Sequence, residues 1–188
     1  MLSVPLTDPC SWGGDPRSAL AAYSLLILRR GRLGRKGLAG VLEVGEATGR
    51  TIMSKLKSAG LAEADRRGAR LTREGEIAAA ELARIVEPAE VEMPERYGDR
   101  VACLIVRVGC DALGTGVAQR DEAVKGGADG ALILVRRGGR YVFPDGSCEY
   151  PLRVSPEPGE GECVVVSWAG SGAAAISGAM RAAGSMAC

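Results

Sequence analysis

Residues 31–75, GRLGRKGLAGVLEVGEATGRTIMSKLKSAGLAEADRRGARLTREG, decide how the first half of the chain folds. Apolar residues recur there at helical spacing in two short runs. Arg35 to Glu43 reads as one helix and Thr48 to Ala59 as the next, with Val44-Gly45 as the turn between them and Gly60 just past the second helix end. Leu61 to Asp65 and Ala69 to Thr72 then read as the strands of a hairpin with Arg66-Arg67-Gly68 at its tip. Thr72 is placed to cap a further helix whose apolar side carries Ile77, Leu82 and Ile85. Upstream, Ser18 to Arg30 predicts an amphipathic helix with Leu20, Tyr23, Ser24, Ile27 and Leu28 along one stripe, closed by Gly31. Helix, tight turn, helix and two-stranded wing is the order of a winged helix-turn-helix of three or four helices. That is the fold expected for residues 1–87, with residues 1–16 as an irregular lead-in.

A turn of about 100° per residue puts Gly49, Ile52, Met53 and Leu56 on one face of the second of these helices. Ala47, Arg50, Thr51, Ser54 and Ser58 fall on the opposite face, flanked by Lys55 and Lys57. Small, hydrogen-bonding side chains let a helix enter the major groove of duplex DNA, where Arg addresses guanine and Thr or Ser reaches base edges or phosphates. The expected DNA-binding residues are Arg35, Lys36, Thr48, Arg50, Thr51, Ser54, Lys55, Lys57, Arg66, Arg67 and Arg70. Lys55, Lys57 and the wing arginines are assigned to phosphates, which position the protein without specifying sequence. Gly49 costs about 1 kcal/mol inside a helix, and its use is expected to be close approach of the preceding helix. The alternative for the same unit is a contact surface for another protein.

The charge distribution agrees with the nucleic-acid reading. Residues 29–73 hold twelve Arg/Lys against four acids, a local +8, whereas residues 88–188 hold ten against thirteen, a net of −3. The chain as a whole is only +1, so the basic character is concentrated in one half. No apolar run approaches the roughly 18 residues of a membrane span, and the first residues lack the basic start and apolar core of a signal peptide. A cytoplasmic, non-membrane protein is expected. There is no histidine, and none of the six cysteines is spaced Cys-x-x-Cys, so neither a metal site nor a cofactor is expected. The thiols are expected to be reduced and structural, with Cys103 and Cys163 inside apolar strands.

Pro88 to Pro94 is acidic and bounded by proline, and residues 88–94 are expected to link the winged helix to a second domain, residues 95–188. There Val101 to Val108 reads as a buried strand, Val117 to Gly126 as a helix, and Ala131 to Arg136 with Arg140 to Phe143 as a hairpin across Gly138-Gly139. Glu162 to Trp168 is a further strand and Ser171 to Ala183 an Ala-rich helix. The order predicts a small α+β domain with a mainly antiparallel sheet, so the chain as a whole is α+β. On a wheel, Val117, Val124 and Ala128 share an apolar face with Asp121 and Arg120 beside it, while Gln119 and Glu122 point away. Arg120 and Asp121 either pair within the domain or form, with Gln119 and Lys125, an effector pocket that grips an anion. The glycine-rich segments 109–116 and 169–178 lack the endings of nucleotide loops and read as turns.

Two segments carry a family resemblance. LGRKGLAGVLEVGEATGRTIMSKLKSAGLAEADRRGARLTREG resembles the N-terminal winged helix of an archaeal family of two-domain transcriptional regulators whose C-terminal domain has no assigned function. GVAQRDEAVKGGADGALILVRRGGRYVFPD resembles that family's second hallmark, with Gln119-Arg120-Asp121, a Gly-Ala pair and a strand ending in Phe-Pro. Its GADGALILV portion is also similar to the small GAD-type α+β domain inserted in some tRNA-charging enzymes. Gly49 departs from the branched apolar residue usual in such helices. The resemblance implies a homodimeric, sequence-specific regulator of transcription that binds double-stranded DNA, its second domain dimerising or binding a small effector. No catalytic residue is expected. The competing reading is a nucleotide- or metabolite-processing enzyme with an appended winged helix, and a third is a protein-interaction module of the transcription or translation machinery.

Overall fold

A computed structural model describes residues 6–95 and 97–188. After a short 3-10 turn over Pro9–Gly13, α1 (Pro16–Arg29) starts at Pro16 with the Asp15 carboxylate accepting the Arg17 N–H as its N-cap. α2 (Arg35–Val41) and α3 (Glu46–Ser58) follow, then β1 (Ala62–Asp65) paired antiparallel with β2 (Gly68–Leu71), then α4 (Arg73–Ala83), capped by Thr72. These elements lie where the local sequence signals put them. Leu33 exchanges backbone hydrogen bonds with Ala69, which adds a strand-like contact to the hairpin. A Cβ on Gly49 would sit 3.0 Å from that of Ala39, so the glycine does let α2 and α3 approach closely.

Two faces differ from the wheel. α1 buries Ala19, Ala21, Ala22, Leu25 and Leu26 as well as Leu20, Ser24 and Leu28, because it packs against α3, α4 and β2 on one side and the last helix on the other. In α4 the inward residues are Gly75, Ala78, Ala79 and Leu82, and Ile77 is 54% exposed. The backbone carbonyl of Leu61 packs against Gly75, and only a face of small residues fits there.

The second sheet is antiparallel throughout and contains β3 (Val86–Glu92), β4 (Arg100–Val106), β5 (Gly130–Arg137), β6 (Arg140–Val142), β7 (Arg153–Ser155) and β8 (Cys163–Ala169), in the order β6-β5-β8-β4-β3-β7. α5 (Val117–Lys125) and α6 (Gly172–Ala187) cover one face. Residues 88–94, expected as a linker, are largely β3. Over residues 86–89 that strand pairs with β4 alone, so Pro88 lies at an open edge where a missing N–H is tolerated.

Both faces of the sheet are buried, which explains its nearly unbroken apolar strands. β4 sends Leu104 and Val106 into a core that extends without a break from Leu6 to Met186, and Cys103 and Ile105 into a second core with Leu134, Val164 and Val166. The sheet curls around this second core. Residues 150–155 close it, because Tyr150 N–H bonds to the Tyr141 carbonyl of β6 and β7 then pairs with β3.

The face of α5 is the reverse of the one expected. Ala123 is fully buried and Gln119 and Glu122 are half-buried, whereas Val117 and Val124 are 51% and 45% exposed. Close packing on α6 decides this: a Cβ on Gly126 would come within 2.8 Å of Gly178 Cα, and one on Gly178 within 2.6 Å of Ala128 Cβ. A smooth small-residue face gains more contact there than two valines would.

The cysteines also differ from expectation. Cys10 pairs with Cys188 and Cys110 with Cys163, with Cα atoms 5.7 and 5.8 Å apart, while Cys103 is free and buried and Cys148 free and exposed. The first pair forms because the N-terminal 3-10 turn packs on α6, where Pro9 O and Trp12 lie against Gly184. No helix among the described residues is long and apolar enough to cross a membrane.

Candidate nucleic-acid interface

α3 follows its N-cap Gly45, with Glu46 in its first turn and Lys55 and Lys57 in its last, the arrangement that complements a helix dipole. Its buried side is Gly49, Ile52, Met53 and Leu56, as the wheel requires. Arg50, Thr51, Ser54 and Lys57 are exposed on the other side. Between this side and the hairpin lies an open groove of about 860 Å³, walled by Arg35, Arg50, Ser54, Lys57, Arg66 and Arg67 among others. None of these five cations has a side-chain partner among the described residues.

The hairpin tip is held by Asp65. Its carboxylate accepts from Arg32 at 2.8 Å and from the Arg67 N–H at 2.7 Å. The Arg32 guanidinium and then this N–H hold the Asp65 carboxyl below the usual carboxylate range. Asp65 thereby fixes the tip through the backbone and leaves the side chains of Arg66 and Arg67 unengaged. The signal for this was present in the sequence, since an Asp two residues before its N–H donor is the pattern of an Asx turn.

The remaining expected residues divide. Lys55 is half-buried and reaches away from the groove to Asp15 Oδ2 at 3.3 Å and Ser18 Oγ at 2.9 Å, tying α3 to the start of α1. Arg70 pairs with Glu63 across the hairpin at 2.5 Å. Thr51 Oγ1 donates to the Ala47 carbonyl at 3.1 Å within its own helix. Thr48 is half-buried, and Lys36 borders a separate hollow with Glu43, Glu46 and Arg100.

The four residues expected around an effector do not converge. Lys125 pairs with Glu122 at 2.6 Å, and Glu122 also receives Arg181 from α6 at 2.8 Å. Gln119 turns inward, its Oε1 buried without a hydrogen-bond partner. Arg120 and Asp121 stand exposed on the outer side of α5.

Comparison with known proteins bears on the second half most directly. Residues 97–186 match the family described as Domain of unknown function (DUF4443). No curated protein matches the chain. Among solved structures the chain is similar to the hypothetical protein PH0730 from Pyrococcus horikoshii OT3, with a TM-score of 0.69 and 26% sequence identity over 88% of this chain and 89% of that one. The likeness to this archaeal protein thus spans both halves, whereas the family match covers the curled sheet from β4 onward with α5 and most of α6, and leaves out β3.

Proposed function

We propose that this chain is a cytoplasmic, DNA-binding regulator of transcription. In this reading α1 to α4 with the β1–β2 hairpin are a winged helix-turn-helix, α3 is the recognition helix, and the second half mediates dimerisation or binds a small effector. The supporting observation is the groove between α3 and the hairpin, whose five cations are left without acidic partners. Ion pairs elsewhere in the same unit (Arg32 with Asp65, Lys55 with Asp15, Arg70 with Glu63) bring cations and acids together, whereas these five cations converge on one groove without acidic partners among the described residues. Arg50 and Ser54 are the base-reading residues. Arg35, Lys57, Arg66 and Arg67 meet phosphates, and four such contacts correspond to a log–log salt slope of about −3.6 per protomer.

The test is selection of genomic duplex fragments by the purified chain at low salt, with Arg50→Ala in parallel. Enrichment of a defined sequence set by the native chain, lost in the variant, is the expected result. Absence of any enriched duplex overturns the reading.

A further inference from the structure

The outer side of α5 carries Val117, Arg120, Asp121 and Val124, all exposed, at the i, i+3, i+4 and i+7 positions of one helical stripe. Burial of two valines is what their chemistry favours, yet the packing of α5 on α6 turns them outward. Arg120 and Asp121 are adjacent in sequence and diverge by about 100° around the helix, so they do not pair with each other. Neither has an ion-pair partner among the described residues, although Glu122, Lys125 and Arg181 on the other side are fully engaged.

Arg120 and Asp121 flank the two valines on opposite sides of the stripe. A second α5 laid parallel by a two-fold axis running along the helices sets each valine against the same valine of its partner and Arg120 against the partner's Asp121, the charged contact occurring twice. This is the self-complementarity that an isologous interface demands. An antiparallel arrangement would lose it, because each charge would then meet its own like. We propose that the outer face of α5 is the dimerisation surface of this chain, its occupant a second copy of the same helix.

The size of the surface sets its strength. Nine residues make a helix about 13 Å long, and one such crossing falls below the roughly 1,200 Å² of a stable interface, so the dimer is weak and concentration-dependent. The proposal rests on the dimeric form of the function given above and gives it a location, but it does not require DNA.

The experiment is sedimentation of the full chain over a range of roughly 1 to 100 µM without DNA, for the native sequence, Arg120→Asp, Asp121→Arg and the double exchange. The native chain is expected to self-associate. Each single exchange opposes like charges twice and is expected to weaken association about tenfold or more. The double exchange restores opposite pairing and is expected to recover association. Both substituted positions are exposed, and unchanged melting curves verify the fold. A native chain that stays monomeric throughout, single variants that associate like it, or a double variant no better than the singles overturns the proposal. Arg50→Ala, which abolishes DNA selection if that reading holds, leaves self-association unchanged, so the two ideas fail separately.

Discussion

Glu43 Oε2 lies 2.5 Å from Arg100 Nε, and the same oxygen accepts the Gly172 N–H at 3.2 Å. Glu43 occupies the turn between α2 and α3, while Arg100 opens β4 and Gly172 opens α6. One carboxylate therefore ties the helix–turn–helix to the curled sheet and neutralises the start of α6.

Glu43 does this at a conformational cost. It has φ +49° at the position after α2 where glycine is usual, with its N–H on Gly40 O and the Val44 N–H on Ala39 O. A non-glycine residue there costs about 1–2 kcal/mol. The Arg100 pair is half exposed and worth at most about 1 kcal/mol, and the Gly172 contact is comparable to an N-cap, about 1 kcal/mol. Glu43→Ala keeps the strain and loses both contacts, so a loss of about 1–2 kcal/mol is expected in urea unfolding. Glu43→Gly relieves the strain and is expected to be the more stable of the two variants. A Glu43→Ala variant as stable as the native chain would show that the carboxylate does not hold this junction, and the reverse order of the two variants would show that the positive φ carries no strain.

Lys55 and Lys57 are two residues apart and, under the proposed DNA-binding function, are expected to separate stability from DNA binding. Lys55→Ala removes a partly exposed link to Asp15 and Ser18, costing up to about 1 kcal/mol without altering the salt dependence of DNA binding. Lys57→Ala leaves stability unchanged and lowers the log–log salt slope by about 0.9. Fluorescence anisotropy across a salt series, together with a denaturant curve, measures both.

Elements whose signals are local were legible in the sequence. The face of α3 followed from the spacing of Ile52, Met53 and Leu56, and the β1–β2 and β5–β6 hairpins from their turn residues. Features set by distant packing were not. The orientation of α5 depends on Gly178, some fifty residues further along, against which a small face fits and Val124 does not. Pro88 and the glutamates around it have the composition of a linker, and only the pairing of β3 with β4 and β7 reveals a strand. Cys10 and Cys188 are 178 residues apart, and their meeting depends on how the 3-10 turn docks on α6. The cationic groove was legible as a set of residues, but the diversion of Lys55 to Asp15 needed the position of α1.

Two helical glycines, one in α4 and one in α2, should respond oppositely to the same change. At Gly75 a Cβ would lie 1.9 Å from the Leu61 carbonyl oxygen, so backbone must move. Gly75→Ala is expected to cost about 3 kcal/mol or more. At Gly40, inside α2, a Cβ would meet nothing within 4 Å among the described residues beyond its own helix backbone. Gly40→Ala is expected to stabilise by up to about 1 kcal/mol through helix propensity. Thermal unfolding of the two variants beside the native chain decides it.

The α5–α6 junction should weaken in acid. Glu122 receives Lys125 and Arg181, and these two contacts, in that order, hold its carboxyl below the ordinary value. A lowered carboxyl stabilises the fold at pH values above its unfolded range and loses that contribution as pH falls through the folded value. Glu122→Gln is expected to destabilise the protein near neutrality and to flatten the fall in stability at pH values below about 4. Parallel slopes for the variant and native chains across that window would remove Glu122 from the account.

Cys103 gives the matching test in alkali. Burial pushes its thiol up to about 12, while an unfolded cysteine ionises near 8.5. Folding is therefore favoured by keeping this thiol neutral, a contribution fully present below the unfolded value and lost as pH climbs toward 12. Because the thiolate is the nucleophile, Cys103 should be inert in the native protein at pH 8. Cys148 is exposed and should react at once. With the other four cysteines paired, a thiol reagent should count one group in the native chain and two in denaturant. The second should appear at the rate of unfolding. Rapid native labelling of Cys103 would mean that the second core opens locally without the rest of the sheet.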